Sequence, residues 1–164
     1  MKIVVLKFGG SSVGSIEKIK KIAEIIHSYS KSNYKIIVVS SAMSGVTNDL
    51  VQKSKKISEN FSEEEYDVLV SSGEQIACSL IAGRLIHKGL KSRSWLAWQI
   101  PIFTKGIHKN SRINIIYKNK ILNYLKSNGI PIITGFQGIN KHERITTIGR
   151  GGSDASAIML AKFL

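Results

Sequence analysis

The sequence predicts an α/β protein in which a largely parallel sheet is sandwiched between helices. Short, nearly continuous apolar runs of strand length occur at residues 2–8, 35–40 and 130–134. Such runs are typical of strands that are buried on both faces of a parallel sheet. Segments with apolar residues at helical spacing separate the runs, and this alternation favours a parallel sheet. The 164 residues suffice for one domain with a substantial core.

The first half of the chain contains three predicted helices. Residues 15–30 carry apolar side chains at helical spacing with lysines between them, and complete a βαβ unit with the strands on either side. A second helix is predicted over 47–58, with Thr47 or Asn48 as its N-cap. A third begins after Ser62, runs through three glutamates and ends at about His87, before Gly89. We expect its inward-facing side chains to be Leu69, Ile76, Leu80 and Leu85.

The second half is less regular. Residues 93–102, which contain both tryptophans, are predicted to form a strand that breaks at Pro101, and residues 113–117 are ambiguous. A short helix is predicted over 118–127. After the strand at 130–134, a glycine turn precedes a final helix over 153–164.

Composition excludes several classes of protein. No segment approaches the roughly 18 uninterrupted apolar residues of a membrane span, and the N-terminus lacks the pattern of a secretory signal peptide. The single cysteine, Cys78, cannot form an intramolecular disulfide, which fits a reducing compartment. We therefore expect a cytoplasmic protein with no membrane partner. The four histidines have no metal-ligand spacing, so no protein metal site is expected.

The formal net charge of +13 is unevenly distributed, since residues 75–142 contain no Asp or Glu. A basic surface can indicate nucleic-acid binding. The alternative is an A- and T-rich genome, which raises Lys, Ile, Asn and Ser together. No helix-turn-helix, zinc or RNA-binding signature is present, so we favour the compositional explanation and expect no nucleic-acid partner.

Glycine and hydroxyl residues follow three of the predicted strands, at residues 7–12, 40–47 and 135–138. Ligands of open α/β sheets bind beyond the carboxyl ends of the strands, and glycines let backbone N–H groups approach an anion. Neither a Walker loop nor a dinucleotide fingerprint is present. The residues alone predict a phosphate-binding turn with Lys7 beside it, and a simple tight turn with an exposed lysine stays open.

Two further groups of residues exceed what secondary structure requires. Residues 149–154, GRGGSD, place an arginine and an aspartate on a glycine turn at a helix start. Residues 71–74, SSGE, place a glutamate beside a mid-helix glycine. Glycine there costs about 1 kcal/mol relative to alanine, which predicts a close approach or a bend.

Taken together, these motifs resemble the aspartate kinases of the amino-acid kinase class. Their order and approximate spacing are those of the family, and the similarity covers essentially the whole chain. The matching segments are residues 7–13, 39–43, 46–48, 72–74, 135–138 and 149–154. The resemblance implies an amino-acid kinase/carbamate kinase-like fold.

The resemblance also implies an activity: phosphorylation of the β-carboxylate of L-aspartate by ATP to give 4-phospho-L-aspartate. That reaction is the first step towards lysine, diaminopimelate, threonine and methionine. ATP is then the co-substrate and brings Mg²⁺ with it. The alternative is a catalytically silent fragment or an interaction subunit of a split aspartate kinase.

Roles follow from the resemblance residue by residue. Lys7 and Asp154 are the implied catalytic residues, with Asp154 orienting Lys7. Glu74 is expected to hold the α-ammonium of aspartate, and Arg150 its α-carboxylate. The remaining aspartate-pocket residues are Ser41, Thr47 and Ser153. The implied contacts to the ATP phosphates are Lys7, Phe8, Gly9, Gly10, Gly135 and Gly138.

The chain departs from the family in length. It stops inside a predicted apolar helix, whereas family members continue with strands around the nucleotide and with ACT-type regulatory domains. Residues 1–164 are therefore expected to be a C-terminally truncated, N-terminal portion of the catalytic domain, with the nucleotide-side remainder and the ACT domains absent. We expect a homo-oligomer or association with a separately encoded C-terminal part, since unpaired strands invite association.

Overall fold

The computed structural model describes residues 2–164, with five helices and eight strands among them. In chain order they are β1 Ile3–Phe8, α1 Ile16–Ser30, β2 Lys35–Ser40, α2 Val46–Ile57, α3 Glu63–His87, β3 Ser92–Trp95, β4 Ile102–Lys105, β5 Arg112–Ile116, α4 Asn119–Lys126, β6 Ile130–Thr134, β7 Gln137–Ile139, β8 Ile145–Thr147 and α5 Gly152–Phe163.

The main sheet has the order β1-β2-β6-β3, and all its strands are parallel. Successive side chains of a strand point to opposite faces, and β2 shows the consequence. Ile36 and Val38 pack in a core with α1 and α3, whereas Ile37 and Val39 pack in a second core with α4 and α5. The predicted α/β class with helices on both faces of a parallel sheet is confirmed.

A second sheet, of order β5-β4-β7-β8, was not predicted. It is mixed: β4 pairs antiparallel with β5, β7 pairs antiparallel with β8, and β4 and β7 are joined by one parallel pair. The predicted strand over 93–102 is right only for its first residues, since β3 ends at Trp95 and a turn leads into β4. The ambiguous residues 113–117 lie largely within β5.

The helix starts differ in detail from prediction. The Ser15 hydroxyl accepts a hydrogen bond from Lys18 N, as a side-chain N-cap of α1. The predicted cap of α2 at Thr47 or Asn48 is wrong, since Gly45 holds that position with a left-handed φ of 86°. Gly151 precedes α5 with a φ of 74°.

The inward face of α3 is only partly as predicted. Leu85 is buried, but Ile76 and Leu80 are 49% and 37% exposed. Ala77 and Cys78 face the core instead, and Cys78 is fully buried as expected. Small side chains on this face let α3 pack closely on its neighbours. No helix described over residues 2–164 is long and apolar enough to cross a membrane.

Candidate functional site

A cavity of about 370 Å³ lies beyond the carboxyl ends of β1, β2 and β6. Parallel strands deliver their last residues to the same edge of the sheet, and this edge is where open α/β proteins bind ligands. The cavity is lined by Lys7, Gly10, Ser41, Ala42, Met43, Ser44, Gly45, Thr47, Asn48, Glu74, Phe136, Gly149, Arg150, Gly151, Gly152, Ser153 and Asp154.

Lys7 and Asp154 form an ion pair at this cavity. Lys7 Nζ lies 2.9 Å from Asp154 Oδ1, joining the end of β1 to the first turn of α5. Gly9 and Gly10, two and three residues after Lys7, have little room for a side chain. A Cβ at Gly9 would lie 3.1 Å from Lys7 Nζ, and one at Gly10 would lie 3.1 Å from Ala42 O. The glycines therefore leave the Lys7 ammonium accessible beside bare backbone.

Two helices begin at the cavity wall. Gly45 and Gly151 are the N-caps of α2 and α5, and neither supplies a capping side chain. The first N–H groups of an α-helix lack intrahelical acceptors, and the helix dipole adds positive potential there. The wall is therefore suited to anionic groups such as phosphate or carboxylate.

Glu74 reaches the cavity because Gly73 lets α3 approach the end of β2. A Cβ at Gly73 would lie 2.8 Å from Ala42 Cβ, so the predicted close approach is what the structure shows. Ala42 N donates a 3.0 Å hydrogen bond to Glu74 Oε1, whereas Oε2 is buried without a partner. Burial raises the pKa of Glu74 to about 7, a rise opposed by the hydrogen bond from Ala42 N. An unpartnered carboxyl oxygen at a cavity wall is suited to a ligand cation.

Arg150 and Ser153 come from the glycine turn before α5 and its first residues. Arg150 is exposed at the cavity, and no ion pair holds it within residues 2–164. Its planar guanidinium is a bidentate partner for a carboxylate. Ser153 is buried, and a Cβ at Gly135 would lie 2.7 Å from Ser153 Oγ. Gly135 therefore serves the contact between β6 and α5.

The structure brings most of the predicted site residues together. The cavity is lined by Lys7, Gly10, Ser41, Thr47, Glu74, Arg150, Ser153 and Asp154. Four others predicted to contact phosphates do not line it: Phe8, Gly9, Gly135 and Gly138.

Each of these four has a different neighbourhood. Phe8 packs against the core shared with α1 and α3. Gly9 lies beside Lys7 Nζ, and Gly135 lies against Ser153. Gly138 lies inside β7, where a Cβ would be 2.3 Å from Thr104 Cγ2. Strand packing alone accounts for a glycine at position 138.

Sequence reasoning missed several residues near the site. Gly45 and Asn48 line the cavity but were not assigned to it. Asp67, which carries a buried carboxylate, was also missed. Its only signal in the sequence is its spacing, since it precedes Glu74 by seven residues, or two helical turns.

Curated proteins of similar sequence are aspartokinases. The chain is 48% identical over 164 residues to an aspartokinase of Rickettsia conorii, covering 98% of this chain and 41% of that protein. It is 42% identical to an aspartate kinase of Pseudomonas putida, covering 100% of this chain and 40% of that protein. The chain thus spans about two fifths of the length of the curated relatives that it matches.

Solved structures share the fold. Escherichia coli aspartokinase III, in complex with aspartate and ADP, superposes with a TM-score of 0.83 at 23% identity, covering 99% of this chain and 46% of that one. Giardia carbamate kinase gives a TM-score of 0.73 at 12% identity, covering 98% and 70%. These likenesses confirm the amino-acid kinase/carbamate kinase-like fold. The sequence also establishes the family. The model of the Amino acid kinase family matches residues 2–164, and the chain belongs to that family.

Proposed function

We propose that this chain provides the amino-acid site of an aspartate kinase, which transfers a phosphoryl group from ATP to the β-carboxylate of L-aspartate. The observation that carries the proposal is that Glu74, whose Oε2 has no partner, lines one cavity with Arg150 and the Lys7–Asp154 pair. An α-amino acid offers an ammonium and a carboxylate on one carbon atom. The cavity offers an anionic and a cationic partner for these two groups.

Binding of the α-carbon groups orients the substrate. The ammonium pairs with Glu74, and the α-carboxylate pairs with the fork of Arg150. Ser41, Thr47 and Ser153 supply further polar groups to the aspartate pocket. With its α-groups held in this way, the substrate presents its β-carboxylate to Lys7 at the end of β1.

The chemistry demands charge neutralisation more than proton transfer. A β-carboxylate oxygen attacks the γ-phosphorus of ATP, and the bond from that phosphorus to the bridging oxygen of ADP breaks. The attacking carboxylate is ionised at neutral pH, so no proton is removed. Lys7, the Gly9–Gly10 backbone and the start of α5 neutralise the phosphoryl oxygens, while Asp154 orients Lys7. Mg²⁺ enters with the ATP phosphates.

The complete enzyme requires more polypeptide in this proposal. Within residues 2–164, β1 pairs only with β2, and it is half-buried along its whole length. A half-exposed edge strand of apolar residues is a surface for further strand pairing. Residues 1–164 would then form the N-terminal portion of a catalytic domain, completed by a separately encoded part or by a second copy. Light scattering would report either association, as a dimer mass for the chain alone or as a complex when the chain is mixed with the missing part.

The activity is tested by trapping the acyl phosphate as aspartyl hydroxamate from Mg-ATP, L-aspartate and hydroxylamine. The purified chain is assayed alone and with a polypeptide covering the part of the Rickettsia conorii aspartokinase that it does not match. We expect hydroxamate formation that Lys7→Ala abolishes and that Lys20→Ala, at an exposed lysine of α1, leaves unchanged. Hydroxamate formation by Lys7→Ala would contradict the proposal. So would the absence of hydroxamate both from the wild-type chain alone and from the chain with the added polypeptide.

A further inference from the structure

Asp67 lies on α3 outside the cavity, and its side chain is fully buried. Four donor contacts surround its carboxylate. His108 Nδ1 lies 2.7 Å from Oδ2, Lys109 N donates to both oxygens at 3.1 Å, and Thr147 Oγ1 donates to Oδ1. A buried carboxylate with this many partners is costly to disturb, because each donor would lose its acceptor.

Two of these partners belong to the loop between β4 and β5. Lys109 has a left-handed φ of 63°, an uncommon conformation for a residue other than glycine. Its neighbour Asn110 packs directly on the turn before α5, since a Cβ at Gly149 would lie 2.6 Å from Asn110 Oδ1. Asp67 therefore holds a loop that forms one side of the Gly149 turn.

The remaining partner, Thr147, is the last residue of β8 and precedes Arg150 by three residues. Its carbonyl accepts a 3.0 Å hydrogen bond from Ser111 N, at the end of the same loop. The next residue, Ile148, donates through its N–H to Phe136 O at 2.8 Å. Asp67 therefore bonds both Thr147, which precedes Gly149 and Arg150 in the chain, and the loop that packs against Gly149.

Helical spacing connects this network to the cavity. Asp67, Ser71 and Glu74 stand at positions i, i+4 and i+7 of α3, so they share one face of the helix. Ser71 O accepts a 3.0 Å hydrogen bond from Gln137 Nε2, which adds β7 to the same face. One helix face thus carries the carboxyl group that meets the cavity and, two turns earlier, the carboxylate that holds the arginine-bearing turn.

We propose that Asp67 and His108 are positioning residues, which hold the turn at residues 148–150 so that Arg150 faces the ligand opposite Glu74. The part of the proposal that concerns ligand recognition rests on the proposed function. The part that concerns the shape of the turn depends on the unliganded protein alone. The two parts are tested by separate measurements.

The shape of the turn is tested by amide hydrogen exchange of the whole chain without ligand, followed by NMR. In Asp67→Asn we expect the Ile148 amide to exchange about tenfold faster, the factor that corresponds to about 1.4 kcal/mol. Amides of β2 should keep their wild-type rates. Glu24→Gln, which neutralises a carboxylate of α1 that pairs with Lys88, serves as the control and should change neither.

His108→Gln provides a second variant in case Asp67→Asn does not fold. His108 is 15% exposed, and its replacement leaves the contacts of Asp67 with Lys109 and Thr147 in place. We expect faster exchange of Ile148 in this variant as well. Wild-type exchange at Ile148 in every folded variant would overturn the proposal.

Ligand recognition is tested by calorimetric titration with L-aspartate. We expect Asp67→Asn and His108→Gln to weaken binding about tenfold, and in an active mixture to raise KM for aspartate more than they lower kcat. Faster exchange at Ile148 with wild-type aspartate affinity would overturn the positioning role. Failure of the wild-type chain to bind aspartate would instead contradict the proposed function, and the exchange rates would still decide the shape of the turn.

Discussion

Glu74→Gln is the substitution with the clearest expected signature, because it removes a buried ionisable group and changes little else. In the wild-type protein Glu74 is 3% exposed, with one oxygen bonded to Ala42 N and the other without a partner. Burial raises its pKa from 4.5 to about 7. Glutamine has nearly the same shape and does not ionise in this range.

The sign and size of the effect follow from proton linkage. The folded protein binds the Glu74 proton more tightly than the unfolded chain does, so this group stabilises the fold at low pH. That contribution is complete below about pH 4.5 and is lost as the pH rises through about 7. Each pKa unit corresponds to about 1.4 kcal/mol, so the wild type should lose about 3 kcal/mol of unfolding free energy across this window relative to Glu74→Gln.

Urea unfolding followed by circular dichroism at pH 5, 6, 7 and 8 measures this difference. The difference between variant and wild type should grow with pH in favour of the variant. Exposed carboxyls such as Glu24, whose pKa is lowered by its bond to Lys88, affect both proteins equally and cancel. A difference that stays constant from pH 5 to pH 8 would refute the buried, unpartnered state of Glu74.

Comparing the wild type with Glu74→Gln also tests whether Glu74 binds the ammonium group of the ligand. At pH 8, L-aspartate should stabilise the wild type by pairing its ammonium with ionised Glu74, whereas succinate, which lacks the ammonium, should not. Glu74→Gln should lose most of the aspartate effect. Equal stabilisation by the two ligands would place the ammonium elsewhere.

Two further predictions concern Arg150 and Gly73. Arg150→Lys keeps the charge but loses the bidentate fork, so L-aspartate should bind about tenfold more weakly by calorimetry. Unchanged affinity would show that Arg150 does not contact the ligand. Gly73→Ala should lower the unfolding free energy by about 1–3 kcal/mol, since its Cβ would lie 2.8 Å from Ala42 Cβ. Gly83→Ala, in the same helix with nothing within 4 Å of the added Cβ, should instead stabilise by about 1 kcal/mol; equal effects in urea unfolding would contradict this packing.

Prediction from sequence succeeded where the relevant pattern is local. β2 and β6 lie between helices on both faces, so they are continuous apolar runs and were recognisable. The strands of the second sheet are only three to five residues long, too short for a period to be read. The prediction of the inward face of α3 was partly wrong, because the size of an apolar side chain does not reveal which face of a helix its neighbours cover. Ile76, for example, is large and apolar but 49% exposed.

The same division holds at the site. The sequence by itself determined which residues stand where the main strands end. It also indicated Lys7, Glu74, Arg150 and Asp154 as site residues, because each lies close in the sequence to glycines that a regular strand or helix does not require. Only the tertiary structure decided that Glu74 keeps an unpartnered oxygen, and that Gly138 serves strand packing. Only it placed Asp67 against His108 and Thr147, which are 41 and 80 residues away. Burial and hydrogen-bond partners depend on which distant segments meet, and no local pattern contains that information.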